Sequence, residues 1–171
     1  DLRDLSDIEP FITIDQEGGR VSRLRLIGSE PPNAQQLREK GDLKLIKRHG
    51  ELTGKILRMF GFNLDLCPVL DLSYDDEADN SLKGRCYGTS PKEVIDNASV
   101  FNHALRKEGV LSCGTHFPGY ASAECDPHHE LPVIHKTLAE MEATELVPFR
   151  ALLPDLDSLM TCHSYFPCWD A

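Results

Sequence analysis

Three side chains that can exchange protons, His116, Asp126 and His128, lie in the segment 114–128, which directly follows an apolar run of strand length. Loops that follow strands carry the sites of many α/β enzymes. Asp126 and His128 are two residues apart, so in an extended segment both side chains leave the same face. The carboxylate can then orient the imidazole and raise its pKa, and the pair can donate and recover a proton near neutral pH. Because most such pairs are surface turns, the pair alone is a weak indication of catalysis.

The same segment belongs to a series of motifs that occur in a fixed order along the chain. They are 14–21 (IDQEGGRV), 63–71 (NLDLCPVLD), 85–88 (RCYG), 116–119 (HFPG) and 126–128 (DPH). Together they resemble glycoside hydrolase family 3, and the last motif points to the bacterial β-N-acetylglucosaminidase branch. The resemblance extends from about Pro10 to Pro167, and an ordered series of motifs is more specific than any one of them.

The resemblance implies a (β/α)8 barrel and a retaining mechanism, in which an aspartate forms a glycosyl-enzyme intermediate. It places the general acid/base on His128 and its orienting partner on Asp126, and it assigns Asp71, Arg85 and His116 to hydrogen bonds with the sugar. The implied reaction removes terminal β-linked N-acetylglucosamine from amino-sugar glycosides such as peptidoglycan fragments, without a metal or cofactor. This agrees with the chemistry, because an oxocarbenium-like transition state needs a proton donor and groups that fix the sugar hydroxyls.

Two departures from the family pattern bear on activity. The family usually has Lys-His where this chain has Thr115-His116, and a threonine cannot replace a cationic donor to a sugar hydroxyl. The resemblance also implies that the nucleophilic aspartate lies on a later strand, beyond Ala171. We therefore expect the isolated chain to be inactive or incomplete, and the nucleophile is not identified within it.

The length and pattern of the chain indicate one α/β domain, residues 1–171, that forms part of a TIM (β/α)8 barrel with about four parallel βα units. A full barrel typically needs ~250 residues. Apolar runs of strand length occur at 10–15, 62–66, 110–113 and 158–162. The first and last strands of such a part would have open edges, so self-association is expected.

Helical patterns lie between these runs, and three long helices are predicted. One apolar face comprises Leu45, Leu52, Ile56 and Met59, and a second comprises Val94, Ala98, Phe101 and Leu105. Ser90 and Thr137 are predicted N-caps with glutamate three residues later, and Gly61 and Gly109 suit left-handed C-terminal caps.

Composition excludes several classes of partner. The net charge of −10 and the lack of a basic stripe argue against nucleic acid and anionic membranes, so a carbohydrate ligand fits better. No apolar run is long enough to cross a membrane and no signal peptide is visible, so a cytoplasmic location is expected. The six cysteines lack paired short spacings and are interpreted mostly as reduced, buried residues.

Other interpretations of the same residues stay open. Asp71 could cap a turn, and Arg85 could pair with nearby acids. His116, His128, His129 and Cys125 could suggest zinc, but their spacing matches no familiar zinc pattern. The alternative functions are a β-glucosidase-type enzyme acting on neutral sugars, and a non-catalytic sugar-binding or vestigial protein.

Overall fold

The computed structural model describes residues 7–78, 80–123 and 131–169. Within them the strands are β1 (Thr13–Ile14), β2 (Gln16–Gly18), β3 (Val21–Ser22), β4 (Leu64–Asp65), β5 (Leu111–Phe117) and β6 (Ser158–Thr161). The α-helices are α1 (Ala34–Glu39), α2 (Leu43–Met59), α3 (Pro91–Lys107), α4 (Leu138–Ala143) and α5 (Leu146–Leu152). Short 3₁₀ turns occupy Arg23–Leu26 and Leu153–Asp155.

Four strands form one parallel sheet in the order β1-β4-β5-β6, and β2 and β3 form a small antiparallel pair after β1. The four predicted apolar runs supply these four parallel strands, so the predicted parallel α/β class is confirmed. Strand β5 is longer than predicted and includes His116, which the sequence had suggested would lie in the following loop. Parallel pairing brings the carboxyl ends of all four strands to one edge of the sheet.

Helix α3 has the predicted cap and the predicted buried face. The Ser90 side chain accepts a hydrogen bond from the Glu93 N–H, and Pro91 opens the helix. The predicted face of Val94, Ala98, Phe101 and Leu105 is fully buried in the main core. Gly61 and Gly109, with φ of 85° and 80°, adopt the left-handed conformation expected after a helix.

Helix α2 forms as predicted but presents a different face to the core. The predicted apolar face is exposed, with Leu45 at 41%, Leu52 at 46%, Ile56 at 38% and Met59 at 83% of full accessibility. The buried residues of α2 are instead Ile46, His49, Gly50, Thr53, Gly54 and Leu57, and the two glycines lie against α3 and its C-terminal cap. The two glycines explain this choice: an added Cβ on Gly50 would lie 2.7 Å from the Phe101 carbonyl oxygen, and one on Gly54 would lie 2.7 Å from Glu108 Cβ. Only the glycine face lets the two helices approach so closely.

The third helical segment is not one long helix but two short ones, α4 and α5. Thr137 caps α4 with the predicted capping box to Glu140. The helix ends at Ala143, and its C-cap Thr144 lies four residues before Pro148. A continuous helix is prevented here because proline lacks an N–H and its ring collides with the carbonyl of the residue four positions earlier.

The sheet has open edges within the described residues, since β1 pairs only with β4 and β6 only with β5. The described cysteines are free; Cys67, Cys86 and Cys113 are buried, as predicted, whereas Cys162 and Cys168 are half-buried. No helix in the described ranges has the length and apolarity needed to cross a membrane.

Candidate functional site

A cavity of about 300 Å³ lies at the carboxyl ends of β1, β5 and β6. It is lined by Asp15, Val21, Arg23, Arg85, His116, Tyr120, Met160, Thr161, Cys162 and His163. Polar groups thus converge from several strand ends and from the β2–β3 hairpin, which is the arrangement expected of a site in a parallel α/β protein.

Asp71 and His116 are brought together by an extension of the sheet. After β4 the chain continues beside β5: the Cys113 N–H donates to the Cys67 carbonyl at 2.9 Å, and the Leu70 N–H donates to the Thr115 carbonyl at 2.6 Å. This pairing places Asp71 directly opposite His116.

The Asp71 carboxylate is fully buried and accepts three hydrogen bonds. Its Oδ2 atom accepts from the His116 backbone N–H at 3.0 Å and lies 2.7 Å from His116 Nδ1, while Oδ1 accepts from the Tyr120 N–H at 3.0 Å. Asp71 does not line the cavity. Its geometry is therefore that of a group that orients His116 and the turn after it, and not that of a turn cap; the predicted direct bond to sugar stays untested.

Arg85 lies between a buried acid and the histidine. Its guanidinium makes two bonds to Glu17, from Nε at 2.9 Å and from Nη2 at 2.7 Å, and Nη2 also lies 3.2 Å from His116 Nε2. Burial acts to lower the pKa of Arg85, but the hydrogen bonds and charge of Glu17 raise it, so the cation is secure. Arg85 thus pairs with an acid and also lines the cavity, but the acid is Glu17, 68 residues away in sequence, and not one of the acids close to it in the chain.

The hydrogen bonds of His116 define its tautomer. Arginine has only donors, so His116 Nε2 must accept from Arg85 and Nδ1 must carry the proton that is donated to Asp71. The Tyr120 ring packs edge-on against the imidazole, with centroids 5.1 Å apart, and its hydroxyl lies 3.1 Å from Ser81 Oγ. Burial raises the pKa of Tyr120, so its hydroxyl remains protonated.

Two charged cavity residues, Asp15 and Arg23, were not among the predicted site residues. Arg23 Nη2 donates to Asp15 Oδ2 at 3.1 Å on the rim of the cavity. Asp15 belongs to the 14–21 motif and follows β1, so its position at a strand end was a usable signal. Arg23 lies beyond that motif, and only the return of the β2–β3 hairpin brings it back to Asp15.

A second buried acid, Asp65, supports the start of this hairpin. Asp65 ends β4, is fully buried, and accepts a hydrogen bond from the Gln16 N–H at 2.9 Å. Burial raises its pKa to about 8, although the neighbouring Cys67 thiol and the Gln16 N–H act in the opposite direction. Asp65 is therefore largely protonated at neutral pH, and it lies against Gln16, the residue that follows Asp15.

Thr115 offers no donor to the cavity. Its side chain is 1% exposed, its Oγ1 atom has no hydrogen-bond partner in the described part of the chain, and it does not line the cavity. The departure from the family's lysine therefore removes a cation from this position without a substitute at the same place.

The predicted acid/base pair, Asp126 and His128, lies outside the described residues, as do Cys125 and His129. Their assigned roles therefore stay predictions. The described part of the site contains one oriented imidazole, one secured guanidinium and a carboxylate–guanidinium pair on the rim. Such a set can bind a neutral polyhydroxylated ligand through several hydrogen bonds.

Comparison with known sequences agrees with the resemblance to glycoside hydrolase family 3. Residues 3–171 match the profile described as "Glycosyl hydrolase family 3 N terminal domain". A beta-hexosaminidase of Tolumonas auensis is 34% identical over 166 residues, which cover 95% of this chain and 49% of that protein. A beta-hexosaminidase of Pseudomonas aeruginosa is 32% identical over 158 residues, which cover 92% of this chain and 47% of that protein. The chain thus spans about half the length of these curated relatives.

Superposition on solved structures points to the same family. A family 3 β-N-acetylglucosaminidase from Paenibacillus sp. superimposes with a TM-score of 0.86 at 32% identity, covering 94% of this chain and 31% of that one. NagZ from Neisseria gonorrhoeae, in complex with N-trifluoroacetyl-D-glucosamine, superimposes with a TM-score of 0.81 at 28% identity, covering 98% of this chain and 51% of that one. The described sheet and helices therefore correspond to part of a barrel of this type.

Proposed function

The chain belongs to the family of glycosyl hydrolase family 3 N-terminal domains, and from this membership we propose that it forms the sugar-binding part of a retaining glycosidase that removes terminal β-linked N-acetylglucosamine. The observation that carries this proposal is the fixed pair of Arg85 and His116 at the cavity, held from behind by Glu17 and Asp71. Residues 1–171 are proposed to act as a single partial barrel domain.

Arg85 and His116 are proposed to hydrogen-bond hydroxyl groups of the terminal sugar. A sugar hydroxyl that reaches His116 Nε2 can donate to it, and Arg85 can donate to the same or a neighbouring oxygen. Glu17 and Asp71 supply charge and orientation to these two groups, and both are removed from solvent. Asp15 and Arg23 on the rim are proposed to contact hydroxyls at the other side of the ring.

His128 is proposed as the general acid/base, oriented by Asp126. In a retaining reaction the general acid protonates the leaving glycosidic oxygen while an aspartate attacks the anomeric carbon. The general acid, now deprotonated, then acts as a base and takes a proton from the water that releases the sugar. The attacking aspartate is proposed to come from polypeptide outside this chain. Substrates of the amino-sugar class, such as peptidoglycan fragments, and a cytoplasmic location are proposed on the sequence resemblance.

A non-catalytic sugar-binding protein is the second candidate. The observation that favours it is the buried Thr115, which provides no cationic donor where the family usually has lysine. Such a protein would bind N-acetylglucosamine without hydrolysing its glycosides.

The test is release of nitrophenol from an aryl N-acetyl-β-glucosaminide and from the matching aryl β-glucoside, with wild-type protein and with His128→Ala. We expect the N-acetylglucosaminide to be preferred, and any turnover to be lost in His128→Ala. Preference for the glucoside would favour the neutral-sugar alternative, and full activity of His128→Ala would contradict the acid/base assignment. Binding without turnover is expected of residues 1–171 alone under either candidate, so it would favour the non-catalytic candidate only when the polypeptide that supplies the attacking aspartate is also present.

Self-association is proposed for the isolated chain. A groove of about 750 Å³ runs along the exposed face of α2, between that helix and the segment that leads into α1. Its apolar lining includes Leu24, Leu37, Leu45, Leu52 and Ile56. An exposed apolar groove and open sheet edges each favour contact with further polypeptide.

A further inference from the structure

Glu145 is a buried carboxylate that lies outside the cavity and has no place in the mechanism above. It is 1% exposed. Its Oε1 atom accepts from Lys136 Nζ at 2.5 Å and from the Tyr74 hydroxyl at 2.8 Å, and Oε2 accepts from the Thr144 hydroxyl. A buried charge is tolerated when its partners are as complete as this.

The partners of Glu145 form one connected network. Lys136 Nζ also donates to the Tyr74 hydroxyl at 2.6 Å, and it lies 4.5 Å from the centroid of the Tyr74 ring. Burial acts to lower the pKa of Lys136, but its bonds to Glu145 and Tyr74 raise it, so the ion pair is maintained. Hydrogen bonds linked in this way strengthen one another.

The network contacts the loop that begins at Asp71 and the turn that follows His116, which Asp71 joins through its hydrogen bonds to the His116 and Tyr120 N–H groups. Tyr74 lies on the loop that begins at Asp71. Gly119, at the end of the turn that contains His116, packs directly on Glu145: a Cβ added to Gly119 would lie 2.8 Å from Glu145 Cβ, and its φ of 107° strains any other residue. This turn is closed by a bond from the Gly119 N–H to the His116 carbonyl at 2.7 Å.

We propose that Glu145 is a positioning residue, which holds the Asp71 loop and the His116 turn at the separation that the sugar-binding cavity requires. Glu145 contacts Tyr74 on one loop and Gly119 on the other. It therefore fixes the distance between the two loops, which the hydrogen bonds from the His116 and Tyr120 N–H groups to Asp71 span. The inference rests on the proposed function, because it assigns Glu145 to the binding of the same sugar.

The carboxylate is needed for this role because volume alone does not fix the two loops. An apolar residue of similar size would fill the space under Gly119, but it would leave the Lys136 ammonium and the Tyr74 hydroxyl without their shared acceptor. Buried ionic groups contribute directional constraint more than net stability. Glutamine keeps the shape and removes the charge, so Glu145→Gln separates the two contributions.

The test compares Glu145→Gln with a control at a more exposed ion pair, Asp157→Asn. The Asp157 side chain is 20% exposed, and it accepts from Arg106 Nε at 2.9 Å and Nη2 at 3.0 Å, and from the Ser112 N–H at 2.9 Å. It precedes β6 and therefore lies at the opposite end of the sheet from the cavity. Both changes replace one carboxylate with an amide and break one ion pair.

The readouts are the affinity for N-acetylglucosamine and the hydrogen-exchange rates of the His116 and Tyr120 amides, both followed by NMR. We expect Glu145→Gln to weaken binding about tenfold and to accelerate exchange of both amides, while Asp157→Asn leaves both at wild-type values. Tyr74 is half-exposed, so loss of its hydroxyl does not threaten folding. Tyr74→Phe should weaken binding about threefold and accelerate exchange of the same two amides.

Unchanged affinity and unchanged amide exchange in Glu145→Gln and Tyr74→Phe would overturn the proposal and make the network merely structural, whatever the change in thermal stability. Failure of the proposed function gives a different result, in which wild-type protein binds no N-acetylglucosamine. In that case the amide exchange rates of the free protein still decide whether Glu145 holds the two loops.

Discussion

His116 is the residue around which the described site is built. Its Nδ1–H points to the buried Asp71 carboxylate, and its Nε2 accepts from Arg85, so the ring has one tautomer and one orientation. The same carboxylate also holds the backbone N–H groups of His116 and Tyr120. One buried acid therefore fixes both the side chain and the turn that presents it.

Replacement of Asp71 by asparagine should weaken sugar binding. The amide provides only one acceptor oxygen for three donors and places its own N–H against one of them, so the His116 ring or its turn must move. Loss of a buried hydrogen bond to a charged group costs about 1.5–3 kcal/mol, which corresponds to roughly a 10–100-fold increase in the dissociation constant for N-acetylglucosamine. Titration calorimetry would measure it, and an affinity within twofold of wild type would contradict the positioning role of Asp71.

Asp65 should make the stability of the protein depend on pH. Its pKa is raised from 3.8 to about 8 in the folded chain, so folding retains a proton that the unfolded chain releases above pH 4. The contribution of Asp65 to stability is therefore complete below pH 4 and declines as pH rises to 8, by at most about 1.4 kcal/mol per pH unit.

Asp65→Asn removes this titration. We expect the free energy of unfolding of the variant, measured with urea, to rise relative to wild type as pH increases from 4 to 8. The control is Ser29→Ala, an exposed substitution that involves no titratable group, whose difference from wild type should not vary with pH. A constant difference between Asp65→Asn and wild type across this range would show that Asp65 is ionised in the folded chain.

At the scale of elements, the contact between α2 and α3 depends on small residues. Gly50→Ala places a Cβ 2.7 Å from the Phe101 carbonyl oxygen, so the helices must separate. Overpacking of this kind costs about 1–3 kcal/mol, which outweighs the better helix propensity of alanine. Gly28→Ala is the control, because nothing lies within 4 Å of its added Cβ. Urea unfolding would measure both, and equal stability of the two variants would contradict the close packing.

Local signals in the sequence were sufficient for most elements. The apolar runs predicted the four parallel strands, and Ser90 and Thr137 marked true helix starts. The face of α2 was predicted wrongly, because a count of large apolar residues overlooks a contact made by glycines. The prediction of a third long helix was wrong, because Pro148 prevents a continuous helix and α4 ends at Ala143. The cap at Thr137 marks where the helix begins and carries no information about this break.

The site was predictable only in part, for a related reason. Asp71, Arg85 and His116 were identified from motifs, and the structure brings the three together. Their mutual geometry depends on pairing between segments far apart in the chain, as does the return of Arg23 to Asp15. Glu145 gave no signal, because a glutamate in a helical segment is ordinarily exposed, and only tertiary packing buries this one.

At the scale of the whole molecule, the described residues combine the Arg85–His116 cavity with an exposed apolar groove on α2. The groove on α2 also contains His49, which is 7% exposed, with neither ring nitrogen hydrogen-bonded within the described residues. Burial lowers the pKa of His49 to about 4, so it stays neutral and the floor of the groove carries no charge there. Such a groove is better suited to an apolar contact than to a polar ligand.

Disruption of this groove should reduce self-association. Leu52→Glu places a charge on its lining, whereas Met59→Glu changes an exposed residue of the same helix outside the groove. Sedimentation velocity should show oligomers for wild type and for Met59→Glu, and a shift of the Leu52→Glu variant toward monomer. Oligomers of equal size in all three proteins, or a monomeric wild type, would contradict a role for the groove.

The central claim is that the cavity with Arg85 and His116 binds a terminal N-acetylglucosamine, and NMR titration of the wild-type chain with N-acetylglucosamine and with glucose tests it most directly. We predict saturable shifts of the His116 and Tyr120 amides, a higher affinity for N-acetylglucosamine, and loss of both in Arg85→Met. The absence of saturable binding at these amides, or binding that Arg85→Met leaves unchanged, would contradict the claim.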